Sequence, residues 1–394
     1  MKTRLEGDYI AAFPEGRITY DNAGLTEQEL RKIIEDNPDK ELIIDAEDLE
    51  YVSSAGLRVL FALPRRKEGK LAIRNAGPEL YEILDMTGFT ELFNVSKKMK
   101  TVSVEGCEVI GKGAYGTVYK IDEDTIVKVY DSPDSLPLIE NERKKSKQAF
   151  IKGIPTAISY DIVRVGDSYG SVFELLQADN LNDYYLDNPG KEDEIIDQYV
   201  QMLKTVHSVQ IEAGALPFYT DTFTGWLDRL KGVIPADVDE GVRALISNMP
   251  EDLHIVHGDV QMKNVMFAGN EPMLIDMESL STGDPVFDLA GLYVCYKAYN
   301  EDEPDNTEHF LGLNKESCDR VWDGILRKYF EGLSEEQIML EEKKIRLAGY
   351  IIFLNNVVLN GFTKPELKDI RIGHTVDHMR ELLPQVTTLV TSKM

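Results

Sequence analysis

The stretch His257-Gly258-Asp259-Val260-Gln261-Met262-Lys263-Asn264 decides the fold, together with Leu274-Ile275-Asp276 and Gly283-Asp284-Pro285 farther along. An Asp, an Asn five residues later and a second Asp on a short apolar strand are the parts that phosphoryl transfer requires. Asp259 is placed to accept the proton of an attacking hydroxyl, while Asn264 and Asp276 would hold magnesium against the phosphates of a nucleotide. His257 reads as a packed scaffold residue ahead of this segment.

A second signal lies upstream, in Gly111-Lys112-Gly113-Ala114-Tyr115-Gly116-Thr117-Val118. The spacing alone is weak, because dinucleotide-binding folds use it where a strand turns into a helix. Here both flanks, Glu105 to Ile110 and Thr117 to Asp122, are apolar and β-branched enough for strands. Gly111, Gly113 and Gly116 therefore belong to a hairpin that covers phosphates. A third strand, Thr125 to Tyr130, sets Lys128 in an apolar run. Alternation puts Ile126, Lys128 and Tyr130 on one face, so the ammonium points into the cleft beneath the glycine loop. Such a Lys needs a carboxylate to hold it, and Glu142 in the helical stretch Leu138 to Phe150 is assigned, with Glu140 the alternative. Each feature has a plainer reading singly: a turn glycine, a snorkelling lysine, a loop aspartate. In this order and spacing they imply a bilobed protein kinase-like (α+β) fold, with an N-terminal lobe over 100–178 and a helical lobe over 179–394.

From about residue 100 to 394 the sequence resembles the aminoglycoside phosphotransferase and choline kinase superfamily. The resemblance is carried by HGDVQMKN, by LIDME with Asp276, by GDPVFDLA with Asp284 and Asp288, by Gly153-Ile154-Pro155, and by His207 at a helix end. Gly258 stands where protein kinases of the eukaryotic type have Arg, Met277-Glu278 replace Phe-Gly, and no alanine-proline-glutamate segment follows. The resemblance implies in-line transfer of the γ-phosphoryl group of ATP, with Mg2+, to a hydroxyl acceptor that is a small molecule. Lys128, steadied by Glu142, would meet the α and β phosphates. Backbone groups of Glu174 to Leu176 would line the adenine slot.

The first hundred residues alternate short strands and helices: Tyr9 to Pro14, a helix near Asn22 to Asn37, Glu41 to Asp45, a helix after Ser54, Lys70 to Arg74, a helix from Pro78 to Met86, and Leu92 to Val95. That rhythm implies a separate α/β sandwich. Asp48 to Leu60, with Glu15-Gly16-Arg17-Ile18, resemble the STAS domain of bacterial anti-sigma-factor antagonists over residues 1–97. The resemblance implies a STAS-binding protein partner and a serine phosphorylated at the start of a helix, where a phosphate meets free N–H groups and the positive end of the dipole. Ser54 is the candidate phosphoacceptor by position and Ser53 the neighbouring one; the family often has Asp where Ser53 stands. A helix cap is the competing role for either serine.

Composition fits two modules: 394 residues, 43% hydrophobic and 28% charged. No apolar stretch follows Met1-Lys2-Thr3-Arg4, so no signal peptide is expected. The greasiest segment, Tyr350 to Leu359, is too short to span a bilayer and reads as a buried helix. Three widely spaced cysteines, at 107, 295 and 318, suit a cytoplasmic location. Of the net charge of −26, residues 1–100 contribute 15 Lys+Arg against 19 Asp+Glu, so the excess is concentrated after them. Such a surface repels nucleic acid and anionic membrane and would attract a cationic acceptor, although an ordinary acidic surface is the simpler account. Glu301-Asp302-Glu303-Pro304-Asp305 reads as a solvated loop, and Ser96 to Val104 as a short linker. Three functions follow: a small-molecule kinase with a STAS docking or regulatory module, a signalling kinase that phosphorylates a STAS serine, or a nucleotide-binding scaffold without turnover. Retention of Lys128, Asp259, Asn264 and Asp276 argues against the third.

Overall fold

The computed structural model describes residues 1–64, 70–113, 116–268, 271–359 and 363–392. Contacts divide the chain into Met1–Ser103 with Val163–Gly166, and Val104–Ile162 with Asp167–Met394.

In the first unit the order is β1 (Lys2–Glu6), β2 (Tyr9–Phe13), β3 (Gly16–Ile18), α1 (Ala23–Asp36), β4 (Glu41–Asp45), β5 (Leu49–Val52), α2 (Ser54–Ala62), β6 (Ala72–Ala76), α3 (Pro78–Met86), α4 (Phe89–Leu92) and β7 (Asn94–Lys97). The main sheet runs β1-β2-β4-β6-β7, with β1 antiparallel to β2 and the remaining pairs parallel. Parallel neighbours need long crossovers, which the helices supply. Ile10, Ala12, Leu42, Ile44 and Ile73 from the strands bury against Leu30, Leu57, Leu60, Leu80 and Leu84 from the helices. The expected strand at Lys70 to Arg74 lies two residues later, and the last strand runs Asn94–Lys97 instead of Leu92 to Val95, because Phe89–Leu92 close a short helix first. The polar edge strand β1 has no apolar pattern and was not expected.

After the first hundred residues, β8 (Glu108–Lys112), β9 (Gly116–Lys120), β10 (Thr125–Tyr130), α5 (Leu136–Ile151), β11 (Asp161–Val165) and β12 (Ser168–Glu174) follow, and their strands build a sheet of order β11-β12-β10-β9-β8. The helical lobe follows with β13 (Asp179–Asn180), α6 (Leu181–Asp187), α7 (Glu192–Ser208), α8 (Tyr219–Arg229), α9 (Ala236–Ser247), β14 (Ile255–Val256), β15 (Val265–Ala268), β16 (Glu271–Leu274), β17 (Ser281–Thr282), α10 (Val286–Tyr296), α11 (Glu308–Leu311), α12 (Lys315–Tyr329), α13 (Glu335–Leu359) and α14 (Pro365–Leu382). Its centre is α10, buried on nearly every side. Tyr350 to Leu359 do form the end of a largely buried helix, α13.

One expectation is corrected. Asp276 does not sit on a strand: β16 ends at Leu274, and Asp276 takes a left-handed conformation (φ 64°, ψ 67°) at a 3-10 turn, Met277–Ser279. The acidic run at Glu301 to Asp305 is a loop, as expected, with Glu301, Pro304 and Asp305 exposed and Asp302 and Glu303 half-buried, and its acids have partners on neighbouring helices. Glu301 accepts from Tyr350 at 3.0 Å, Asp302 pairs with His374, and Glu303 pairs with buried Arg371 at 3.3 Å. These acids accept from a phenol of α13 and pair with basic side chains of α14, which a charge count along the chain does not reveal. Among the described residues, no helix is long and apolar enough to cross a membrane.

Candidate active site

Lys128 and Tyr130 do share one face of β10, as alternation requires. Lys128 Nζ lies 3.1 Å from Asp276 Oδ1 and 3.6 Å from Glu142 Oε1. Glu142 is buried on α5 while Glu140 is exposed, so the helix itself separates the two candidates. The second oxygen of Glu142 accepts from the Tyr130 hydroxyl at 2.5 Å. Burial by itself would lower the Lys128 ammonium, but Glu142 and Asp276 outweigh it and its pKa is raised, so the side chain is a firm cation.

Asp259 and Asn264 meet at the other side of the cleft. The Asn264 amide donates to Asp259 Oδ2 at 2.8 Å and to the Asp259 carbonyl at 2.9 Å, and Gln261 donates to Oδ1 at 3.1 Å. The Asp259 carboxyl opens to the cleft yet is closely surrounded elsewhere. Desolvation pushes its pKa up, nearby Asp276 adds to that, and His257, Gln261 and Asn264 pull against it. A raised carboxylate facing a cleft is the electrostatic setting of a general base.

The segment His257 to Asn264 is held from beneath. Asp288 on α10 accepts from the backbone N–H groups of His257 at 2.8 Å and Gly258 at 2.6 Å, and from His207 Nε2 at 2.9 Å. Burial pushes Asp288 up, but His207 and the backbone donors more than offset it and its pKa stays low. His257 stays in the scaffold, with Nε2 at 3.2 Å from the Ile275 carbonyl and Nδ1 at 3.3 Å from the Asp259 N–H. Gly258 has φ +85°, and a Cβ there would lie 2.7 Å from Ser279 Cβ, so this packing has no room for the Arg of protein kinases. Pro155 accepts from Leu274 N–H at 2.9 Å, which explains why Gly153-Ile154-Pro155 belongs to the pattern: it anchors the strand that leads to Asp276.

Of the loop glycines, Gly111 lies in β8 and Gly116 opens β9, with Gly113 N–H donating to Gly116 O at 2.9 Å. A Cβ on Gly116 would stand 2.3 Å from the Val129 carbonyl oxygen, so that glycine is forced by the neighbouring strand. Ala114 and Tyr115 lie outside the described residues. At the expected adenine slot, Leu175 N–H already donates to Asp124 O at 2.7 Å. Glu174 closes β12 opposite Thr125, with Leu176 two residues beyond it.

Asp276 and Asn264 offer hard oxygen donors, and because the Asn264 NH2 is given to Asp259, its carbonyl oxygen is the atom it would offer a cation. Among the described residues no three His, Cys, Asp or Glu converge into a metal cage. Two oxygen donors of this kind suit magnesium, which one or two protein oxygens share with phosphates. Sequence reasoning missed Gln261, Glu278 and Lys145. Lys145 had a usable signal, lying three residues beyond Glu142 and hence on the same helix face. Glu278 sits close enough to Asp276 and Glu142 that burial and those charges raise its pKa.

In the first unit, Ser53 caps α2, accepting from Gly56 N–H at 3.3 Å, whereas Ser54 begins the helix and is exposed.

Residues 106–317 match the phosphotransferase enzyme family and residues 6–102 match the STAS domain. A Bordetella bronchiseptica protein, BtrV, named as an anti-sigma factor antagonist, is 28% identical over 103 residues, covering 25% of this chain and 87% of its own length. Among solved structures, the ADP-bound aminoglycoside phosphotransferase APH(2'')-Ib is 15% identical at a TM-score of 0.47, covering 78% of this chain and 99% of that one. The streptomycin–ATP complex of APH(2")-IIa is 17% identical at 0.45, covering 73% and 93%. With more than half of its length matched, the chain belongs to the phosphotransferase enzyme family, and it carries a STAS domain ahead of that region.

Proposed function

We propose that the second unit transfers the γ-phosphoryl group of ATP to the hydroxyl of a small molecule in a magnesium-dependent reaction, and that the STAS module serves docking or regulation. The observation that carries this reading is the approach of Lys128 to both Glu142 and Asp276, while Asp259 and Asn264 hold each other within the same cleft. Magnesium, when bound, would neutralise phosphate charge and orient the transferred group. Asn264 and Asp276 would hold it, and Lys128 would bind the α and β phosphates, kept in place by Glu142. Asp259 orients the acceptor hydroxyl and takes its proton. Its two amide partners fix the carboxylate before any acceptor arrives, which is where catalysis by positioning originates. Gly111, Gly113 and Gly116 would let backbone approach the phosphates, and backbone groups near Glu174 and Leu176 would meet the base. The acidic surface suits a cationic acceptor.

The test is Asp259→Asn in the full chain: ATP binding by calorimetry persists, whereas phosphate transfer to a panel of amino sugars and choline-like alcohols falls by at least about a hundredfold. Transfer near the wild-type rate would remove Asp259 from the role. A second reading, phosphorylation of a STAS serine, is favoured by one observation, the exposed Ser54 hydroxyl in the first turn of α2. Mass spectrometry after incubation with ATP would find phosphate on Ser54 under that reading and none under the first.

A further inference from the structure

The site as described leaves one buried cation without a role. Lys145 is only 8% exposed, and its ammonium donates to the backbone carbonyl of Glu278 at 2.6 Å. Desolvation draws its pKa down, and the Glu278 and Glu142 carboxylates oppose that. Burying a lysine is costly unless something is gained in exchange. A backbone oxygen is an unusual anchor for it, since any helix-favouring apolar residue would pack there without the desolvation cost.

The position of that carbonyl supplies the reason. Glu278 is two residues beyond Asp276, inside the 3-10 turn Met277–Ser279. Asp276 is one of three non-glycine residues with positive φ among those described, and no side chain caps its turn. A left-handed aspartate persists only when its surroundings over-determine it. On the opposite end of the same contact, Lys145 follows Glu142 by one helical turn on the buried face of α5. One helix thus grips Lys128 through Glu142 and the Asp276 turn through Lys145.

We propose that Lys145 is a positioning residue for the transfer reaction, locking the turn that presents Asp276 to the helix that holds Lys128. The inference rests on the phosphotransferase reading of the site and adds a residue that touches neither substrate nor cofactor. Glu142 and Lys145 set the distance between the phosphate-binding lysine and the cation-binding aspartate. Movement of α5 would therefore displace both together.

The experiment uses the full chain, with Mg-ATP as probe and water as acceptor, plus hydrogen exchange. In Lys145→Met, kcat for ATP hydrolysis falls at least about tenfold. The magnesium concentration for half-maximal rate rises, and deuterium uptake over residues 275–280 quickens while α13 is unchanged. Lys145→Arg, which keeps a donor of similar reach, restores slow exchange and most of the rate. Unchanged exchange over 275–280, or an activity loss with unaltered magnesium dependence, would overturn the proposal. Should Lys145→Met not fold, the same measurements on Lys145→Gln decide it, since the shorter amide does not span the gap. If the wild type does not hydrolyse ATP, the exchange comparison alone supports or overturns the clamp, and the phosphotransferase reading is judged by the acceptor panel.

Discussion

At the scale of single residues, the proposed role of Asp259 sets activity against stability. Its folded pKa lies above the ordinary 3.8, chiefly through desolvation. The folded protein therefore favours the protonated carboxyl: at neutral pH the ionised group detracts from stability, and that penalty is relieved as pH falls through the folded pKa. Two outcomes follow. The acid limb of the pH–rate profile should fall above the range of a free Asp, because a general base works only when deprotonated. A limb at or below that range would remove the electrostatic account. In calorimetry, Asp259→Asn should melt higher than the wild type although it no longer transfers phosphate, and a lower melting temperature would contradict the sign. That Asp259 meets Asn264 and Lys128 meets Asp276 was legible from the sequence, because the expected chemistry restricts which residue types stand at which spacing. Gln261 was not, since its orientation onto Asp259 depends on how the segment turns in space.

At the scale of elements, packing dictates what chemistry alone leaves open. The segment carrying Gly258 passes under Ser279 so closely that Gly258→Ala adds a backbone cost of about 1–2 kcal/mol for positive φ, plus a contact the neighbours must yield to. Urea unfolding of the second unit should register that loss, and transfer should fall with it because Asp259 is the next residue. A variant with wild-type stability would show the turn to be softer than its contacts imply. In the first sheet, Arg74 on β6 forks onto Glu6 of β1 at 2.7 and 2.8 Å and reaches Asp45 of β4 at 2.8 Å. Hydrogen bonding to Arg74 holds the Glu6 carboxyl at about 2, against 4.5 when free. The stabilisation is present above pH 4.5 and is lost as pH falls through about 2. Glu6 is 26% exposed, so screening limits its worth. Glu6→Gln should lower stability by about 1 kcal/mol at neutral pH, with no difference left below pH 2. The strands with a clear apolar pattern were legible in the sequence, and β1 was not. All of its residues but Glu6 are exposed, and it is fixed in place by pairing with β2 and by ions that reach across the sheet.

At the scale of the whole molecule, the chain holds two large hydrophobic cores with no residue in common. One is built around Ile44, Leu57 and Ile73, and the other around α10 and α13. Each module was readable because each carries its own periodicities, and no alternation or motif runs across the linker. Separate cores predict separate unfolding, since cooperativity depends on shared burial. Calorimetry of the full chain should therefore show two transitions. Mg-ATP at a hundred times its Kd should stabilise only the unit that binds it, by about 2.7 kcal/mol. Glu6→Gln should lower only the other transition, so each peak can be assigned without cutting the chain. A single transition moved by both nucleotide and Glu6→Gln would show instead that the STAS module and the phosphotransferase unfold as one. Nucleotide occupancy would then be felt at Ser54, and the regulatory reading would gain over simple docking.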